Sequence, residues 1–141
     1  MRKILTVLAL AIALCVTACK KAPKADPAAA LVGEWELTQI EVKSVEYAGK
    51  TVEVYLVFTA DNTFEIYQMI GQGRFRKFSG TWTLTDGILS GKYASKKAWG
   101  SEYEATVKGE TLTLVSTVSG ETDTYQKAAV PDSVKKEAYE E

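Results

Sequence analysis

The side chains that could perform chemistry in this sequence are carboxylates, hydroxyls and lysines, because the 141-residue chain contains no histidine. Without an imidazole, Ser-His-Asp and Cys-His catalysis, His-ligated zinc and a histidine pH switch are all excluded. Both cysteines, Cys15 and Cys19, lie close to the N-terminus. Acid-base catalysis by paired carboxylates is therefore the main enzymatic chemistry left to consider.

Two pairs of carboxylates have a suggestive spacing for that chemistry. Glu102 and Glu104 lie two residues apart and would project from one side of a strand, while Glu53 and Glu65 are candidates for cross-strand neighbours. All four are predicted on solvent-facing sides, where nothing raises the pKa of a carboxyl group as an acid catalyst requires. We therefore expect no catalytic residue, no metal site and no cofactor, and a protein that is not an enzyme.

Residues 1–18 have the pattern of a secretory signal peptide. Arg2 and Lys3 provide a positive start, and the apolar run at residues 4–16 is too short to span a bilayer comfortably. The run ends in Val-Thr-Ala-Cys, which resembles the lipobox of bacterial lipoproteins. This resemblance implies cleavage before Cys19, lipidation of Cys19 with palmitate among the acyl groups, and a membrane partner reached through that lipid. The expected location is the bacterial cell envelope, at the outer membrane, on a face that the sequence leaves open.

Loss of the leader would leave a chain with limited chemistry and a mild negative charge. Cys15 would be removed and Cys19 lipidated, so no disulfide is possible. Without Arg2 and Lys3, 15 basic residues remain against 18 acidic ones, which argues against nucleic acid as a partner. Residues 19–30 contain prolines, alanines and lysines but no large apolar side chain, and this composition predicts a flexible tether.

From residue 31 onward, apolar and polar side chains alternate as in half-buried strands. The clearest segment is 52–58, in which every second residue is Val, Leu or Phe. Similar segments recur about every twelve residues, and we count eight strands between residues 32 and 128, a regularity typical of all-β sandwiches and barrels. The one candidate helix lies within residues 131–140.

The first of these strands carries two further signals. Gly33 lets the chain bend tightly at its entry, and Trp35 and Leu37 then share one face. The apolar positions shift from odd to even at Ile40 and Val42, and a change of parity inside one strand predicts a β-bulge.

The Gly33-x-Trp35 motif at the start of eight strands, followed by a short C-terminal helix, resembles the lipocalin superfamily and more closely the small lipocalin-like lipoproteins of Bacteroidetes. Trp82 after Gly80 and the segments 89–93 and 112–114 also fit this resemblance. It spans residues 31–130, leaves 131–141 as a short helix or tail, and implies an eight-stranded antiparallel up-and-down barrel. It also implies that Trp35 lies at the closed end beneath a basic side chain, for which Lys127 is the nearest cation.

A barrel of eight strands is either filled by its side chains or holds one small ligand. Short strands and several inward aromatic residues favour a filled interior here. If a ligand binds, the open end is expected to be framed by the loop that carries Trp99 and, if topology brings it close, by residues 71–77. Glycines would let these segments move. The basic side chains near them would favour an anionic group in the ligand, and these are Arg74, Arg76, Lys96 and Lys97.

Two functions remain open from the sequence. The first is an envelope-anchored lipocalin-like lipoprotein that binds a small amphipathic ligand or a sugar. The second is a protein-interaction or structural module with a solid core, which would use the loops around Trp99 and the outer faces bearing Tyr55 and Tyr67. The alternative to a binding role is purely structural. Trp99 would then pack as a lid on the barrel, and the basic side chains would simply be solvated. The oligomeric state stays open.

Overall fold

The structure, a computed structural model, describes residues 26–41 and 47–141. The leader, Cys19 and Val42 lie outside the described residues. Within them, no helix is long and apolar enough to cross a membrane. The elements in chain order are α1 (Pro27–Leu31), β1 (Gly33–Ile40), β2 (Val52–Phe58), β3 (Thr63–Ile70), β4 (Arg76–Thr85), β5 (Ile88–Tyr93), β6 (Tyr103–Lys108), β7 (Thr111–Ser116), β8 (Thr122–Lys127), α2 (Asp132–Glu137) and β9 (Tyr139–Glu140).

Strands β1 to β8 form a closed barrel. Each pairs antiparallel with the next strand in the chain, and β8 returns to pair with β1, so that Trp35 lies between Leu56 of β2 and Lys127 of β8. Closure matters because it leaves no long unpaired strand edge for another chain to join. The prediction of an eight-stranded antiparallel up-and-down barrel followed by a short helix is confirmed.

The alternating strand directions place the connections at two ends of the barrel. The β2–β3, β4–β5 and β6–β7 turns lie at the end where β1 begins, which we call the closed end. The β3–β4, β5–β6 and β7–β8 connections lie at the opposite end, together with the end of β1 and the beginning of β2, and we call this the open end. The loop that carries Trp99 and the segment 71–75 therefore share the open end, which meets the condition under which the sequence analysis included residues 71–77.

Helix α1 covers the closed end. Asp26 caps it by accepting a hydrogen bond from the Ala28 N–H at 3.1 Å, and Leu31 is buried against the barrel core. The Trp35 indole is fully buried, and its Nε1–H donates to the Leu31 carbonyl at 2.9 Å. Residues 27–30, which the sequence places in the flexible tether, therefore form a helix, because Asp26 and Pro27 begin it and Leu31 anchors its last turn.

A cation covers the Trp35 ring from outside. The Lys127 ammonium lies 5.3 Å from the centroid of the ring, an attractive geometry for a cation and an aromatic face. Gly33 allows this approach, because a Cβ at that position would come within 3.0 Å of Lys127 Cε. Gly33 also adopts a φ of 144°, which L side chains rarely adopt. The prediction that Lys127 is the basic partner of Trp35 is confirmed.

The change of parity in β1 corresponds to a β-bulge. The register between β1 and β8 shifts between Leu37 and Gln39, so one residue of β1 is left over on that side. After the bulge, Ile40 faces the barrel interior near the open end, where it lines a cavity. The bulge predicted from the apolar pattern is thus confirmed at the described part of the strand.

The C-terminal segment wraps the outside of the barrel. Val134 of α2 and Val130 before it pack on Tyr67 of β3, and all three side chains are buried. Strand β9 then pairs parallel with the start of β4, beyond the point where β5 ends. The sequence predicted Tyr67 on a solvent-facing side, and this is wrong because α2 covers that face; Tyr55 beside it is half-buried.

Candidate ligand cavity

The barrel encloses a cavity of about 320 Å³ that reaches the open end. Every strand from β1 to β8 contributes to its walls, because alternate side chains of each strand face inward. The deep part is apolar, and the polar groups collect near the open end. The lining residues are Leu37, Ile40, Glu41, Tyr47, Val52, Val54, Leu56, Phe58, Ile66, Gln68, Phe78, Tyr93, Trp99, Gly100, Tyr103, Leu114, Glu121, Asp123 and Tyr125.

This cavity overturns the expectation of a filled interior. The aromatic residues that the sequence places inside do face inward, but Phe64 and Trp82 pack in the lower core with Trp35 and Leu89. Neither Phe64 nor Trp82 lines the cavity, although Phe58, whose ring contacts Trp82, does. Inward alternation predicts which residues line a barrel, but the free volume depends on how their side chains pack together.

Trp99 forms part of the cavity wall. Strands β5 and β6 pair only at Ile88–Glu104 and Leu89–Tyr103, and beyond that point the Trp99 N–H donates to the Gly91 carbonyl at 2.9 Å. The Trp99 ring lies edge to face with Phe64 at 4.9 Å between ring centroids. It fills the space that a side chain at Gly91 would need, so glycine is required there.

The Trp99 indole has an unused donor. Its Nε1–H is buried, and no described residue accepts a hydrogen bond from it. A buried donor without a partner is uncommon in native structures and costs free energy. The loop residue that sequence analysis singled out thus packs as a wall of the cavity, with one polar group still to be satisfied.

Three carboxylates line the cavity near its open end. Glu41 at the end of β1, Glu121 before β8 and Asp123 in β8 all line it. Burial, and then the nearby charge of Glu121, raise the pKa of Asp123 to about 6. Burial also raises the pKa of Tyr125 and of Tyr103, and the charge of Asp123 adds to both effects.

Sequence analysis did not single out these three carboxylates. Asp123 shares its parity with Tyr125, which faces inward, so alternation along β8 carries a signal for an inward carboxylate. Glu41 joins it only through the barrel closure, since its N–H donates to the Thr122 carbonyl at 3.0 Å. The grouping depends on the β1–β8 pairing and could not be read from either strand alone.

The predicted basic residues of the β3–β4 segment contact the C-terminal segment. Arg74 donates two hydrogen bonds to the Glu137 carbonyl, at 3.2 and 2.9 Å, and its guanidinium lies 5.5 Å from the centroid of the Tyr139 ring. Arg76 pairs with Glu141 at 3.6 Å. Neither residue lines the cavity. A ligand-binding role for Arg74 and Arg76 stays a prediction, and the structure gives both a different set of contacts.

The two lysines of the β5–β6 loop are exposed. Lys96 adopts a φ of 71° in a tight turn, and Lys97 accepts a hydrogen bond at its carbonyl from the Tyr93 N–H at 2.8 Å. Both share the open end with Trp99, but neither lines the cavity. Of the five residues predicted to frame a ligand, the structure thus places Trp99 on the cavity wall and the other four outside it.

The carboxylate pairs considered for catalysis do not assemble. Glu53 lies opposite Met69 and Glu65 opposite Val57, so the predicted cross-strand pairing is wrong. Burial disfavours ionisation of Glu65, but hydrogen bonds from Tyr67 at 2.8 Å and from Lys77 outweigh it, and its pKa is lowered. Glu102 and Glu104 are exposed. The part of the chain that the structure describes holds no group of three potential metal ligands.

These features define a class of protein, a closed up-and-down β-barrel with a small cavity of mixed apolar and polar lining that opens at one end. The profile of the lipocalin-like domain family matches residues 31–114, and the chain belongs to this family. No curated protein matches it significantly in sequence.

Solved structures with a similar fold include two proteins named for fatty acids. Fatty-acid-binding protein 1 of Echinococcus granulosus is 18% identical, with a TM-score of 0.43, over 72% of this chain and 99% of that chain. A structure described as the REP1-NXSQ fatty acid transporter is 14% identical, also with a TM-score of 0.43, over 73% of this chain and 99% of that chain.

Proposed function

We propose that this protein is an envelope-anchored lipocalin-like lipoprotein whose barrel binds one small, predominantly apolar ligand. The cavity carries the proposal, because its volume of about 320 Å³ matches the lower end of the range of small-molecule sites, roughly 300–1,000 Å³. Such sites combine apolar and aromatic walls with a few placed polar groups. The family assignment supports the same function, and we assign no catalytic step to the protein.

The shape of the barrel supports entry of the ligand from one side. Helix α1, Trp35 and Lys127 close one end, whereas the cavity reaches the surface among the loops of the other. An apolar ligand in contact with Leu56, Phe58 and Leu114 would be removed from water. Burial of apolar surface would provide most of its affinity, at about 25 cal/mol per Å² before the costs of association.

The anchoring part of the proposal rests on the N-terminal sequence. The positive start, the apolar run and the small residues before Cys19 together support lipidation, and the residues between Cys19 and α1 would hold the barrel near the membrane. We expect metabolic labelling with a fatty-acid analogue to mark the wild-type protein and not Cys19→Ser, while Cys15→Ser should be labelled as wild type. Absence of label on the wild-type protein would disprove the anchor.

A substitution that fills the cavity tests the binding function. Ile66 is half-buried and lines the cavity, so the larger side chain of tryptophan at this position would project into the free volume and narrow the space for a ligand. We expect Ile66→Trp to weaken binding of the neutral fluorescent probe N-phenyl-1-naphthylamine by more than about tenfold, which corresponds to about 1.4 kcal/mol. Fluorescence titration of the full chain in lipid nanodiscs, with empty nanodiscs as the blank, measures this.

The matched control places the same side chain on the outside. Thr106 is an exposed residue of β6, and Thr106→Trp should leave probe binding unchanged. If Ile66→Trp does not fold, Gln68→Trp at the open end replaces it, since Gln68 also lines the cavity. Binding that is equal in all three variants would mean that the probe does not enter the barrel, and it would favour a protein-interaction function instead.

A further inference from the structure

We propose that the ligand of this cavity carries an uncharged oxygen acceptor, such as the hydroxyl of an alcohol or the carbonyl of a ketone or ester, on an apolar body. The inference rests on the proposed function, since it names the chemical class of the ligand of the same cavity. It starts from the neutral polar side chains of the wall, and above all from the phenol hydroxyls of Tyr93, Tyr103 and Tyr125.

The three phenols reach the cavity from separate strands. Tyr93 ends β5 and Tyr103 begins β6, so both lie near the open end, whereas Tyr125 lies within β8 and is only 5% exposed. The rings of Tyr103 and Trp99 are in contact, with their centroids 6.2 Å apart. Barrel closure thus brings hydroxyl groups from β5, β6 and β8 to one space.

These polar groups are left without partners by the protein itself. None of the three hydroxyls has a hydrogen-bond partner among residues 26–41 and 47–141, and the side-chain amide of Gln68, which also lines the cavity, has none there either. The buried Trp99 Nε1–H also lacks an acceptor in the described residues. Native proteins normally satisfy polar groups that are removed from water. The polar part of the wall therefore depends on a ligand or on water for its hydrogen bonds.

All three phenols are protonated at neutral pH and can donate a hydrogen bond. Burial raises the pKa of Tyr93. Burial also raises the pKa of Tyr103 and of Tyr125, and the charge of Asp123 adds to both effects. The indole of Trp99 can only donate. An acceptor is therefore the group that this wall can use in a ligand.

A charged head group fits the wall less well than a neutral one. An anion would find no lysine or arginine among the described residues that line the cavity. It would also lie near Asp123, whose pKa of about 6 leaves this carboxylate mostly ionised at pH 7.5. Arg74 and Arg76 lie outside the cavity, where both contact the C-terminal segment. An ammonium group only donates hydrogen bonds, so it would leave the phenol and indole donors without acceptors.

The apolar part of the cavity lies beside these hydroxyls. Val54, Leu56 and Ile66 line it from β2 and β3. Phe78 of β4 lines it beside Tyr93, and the two ring centroids are 5.9 Å apart. A ligand that contacts these side chains and places one oxygen among the phenols would bury its apolar surface and satisfy hydroxyl groups at the same time.

Four compounds with eight-carbon chains and different polar groups test this inference. 1-Octanol, 2-octanone, octanoate and octylammonium each compete with N-phenyl-1-naphthylamine for the full chain in lipid nanodiscs at pH 7.5, with empty nanodiscs as the blank for partitioning. We expect 1-octanol and 2-octanone to bind about tenfold more tightly than either ion. 2-Octanone is the most specific of these compounds, because its carbonyl accepts a hydrogen bond and cannot donate one. Either ion binding as tightly as the two neutral compounds would overturn the inference.

Removal of single hydroxyl groups identifies the donors. Tyr125→Phe, and Tyr103→Phe as a second variant, are each expected to weaken binding of 2-octanone about fivefold. Direct binding of the probe should stay unchanged in both, because the probe has no oxygen acceptor. The matched control is Tyr55→Phe, which should bind 2-octanone as the wild-type protein does, since Tyr55 lies in β2 and does not line the cavity.

The outcomes separate this inference from the proposed function. If Tyr125→Phe and Tyr103→Phe both bind 2-octanone as tightly as the wild-type protein, only water satisfies the phenols and the inference is wrong. If neither the probe nor any of the four compounds binds, the proposed function itself is wrong. If the probe binds in the cavity and is weakened by Ile66→Trp, but the neutral compounds have no advantage over the ions, only the ligand class is wrong.

Discussion

Replacing Trp35 with alanine is expected to lower the free energy of unfolding by about 3–5 kcal/mol, as truncation of a buried aromatic residue does. The indole is completely buried, its Nε1–H is bonded to Leu31 at 2.9 Å, and Lys127 lies over its face. Three elements, α1, β1 and β8, therefore lose contacts at once. Since the whole stability of a domain is about 5–15 kcal/mol, this one change removes a large share of it.

Chemical denaturation followed by far-UV circular dichroism measures the effect without depending on tryptophan fluorescence. Trp35→Phe is the companion variant, because it keeps an aromatic ring in the core and loses the hydrogen bond to Leu31. It should cost less than half as much as Trp35→Ala. A loss below about 1 kcal/mol for Trp35→Ala would mean that the closed end is not packed around this residue.

Removal of residues 131–141 is the second change with a large expected effect, a loss of about 2–4 kcal/mol in the free energy of unfolding. Burial of a valine such as Val134 contributes about 1.5–3 kcal/mol, and the truncation also uncovers Tyr67 and Val130. The ion pair between Lys135 and Glu34, at 2.7 Å, adds little because both side chains are partly exposed. The same denaturation experiment on the truncated and full chains measures the difference.

A point substitution separates packing from the loss of chain length. Val134→Asp places a charge against the covered face of β3 and should reproduce most of the destabilisation, whereas Ser133→Asp on the exposed side of α2 should not. If Val134→Asp were as stable as the wild-type protein, the C-terminal segment would not be packed on Tyr67. The apolar face of β3 would then be free for another partner.

Much of the barrel could be predicted from local patterns. The alternation at Val54, Leu56 and Phe58 matches the buried positions of β2, and the parity change after Leu37 marks the bulge in β1. These patterns are readable because side chains of a strand alternate strictly between its two faces. The partnership of Trp35 and Lys127 came from resemblance to lipocalins, which implied a basic residue near the end of the last strand.

The binding site was harder to predict than the barrel, because the sequence shows where charged side chains lie in the chain and not which groups they contact in the fold. Arg74 and Arg76 contact residues more than sixty positions later in the chain, and nothing in their own segment indicates this. The sequence analysis correctly noted that Trp99 is unusual for a loop residue. Its position in the cavity wall, however, arises because β5 and β6 stop pairing after Leu89 and Tyr103.

The sequence by itself determined the number of barrel strands, the side chains that each strand turns to the interior, the bulge and the positions of most turns, because these depend on neighbours within a few residues. The tertiary structure alone decided that the interior keeps a cavity, that three carboxylates from β1 and β8 and the turn before β8 line it, and that the C-terminal segment covers Tyr67. These three features depend on how side chains from β1, β3, β8 and α2 fill or share one space. That depends on barrel closure and packing volume, which no single segment encodes.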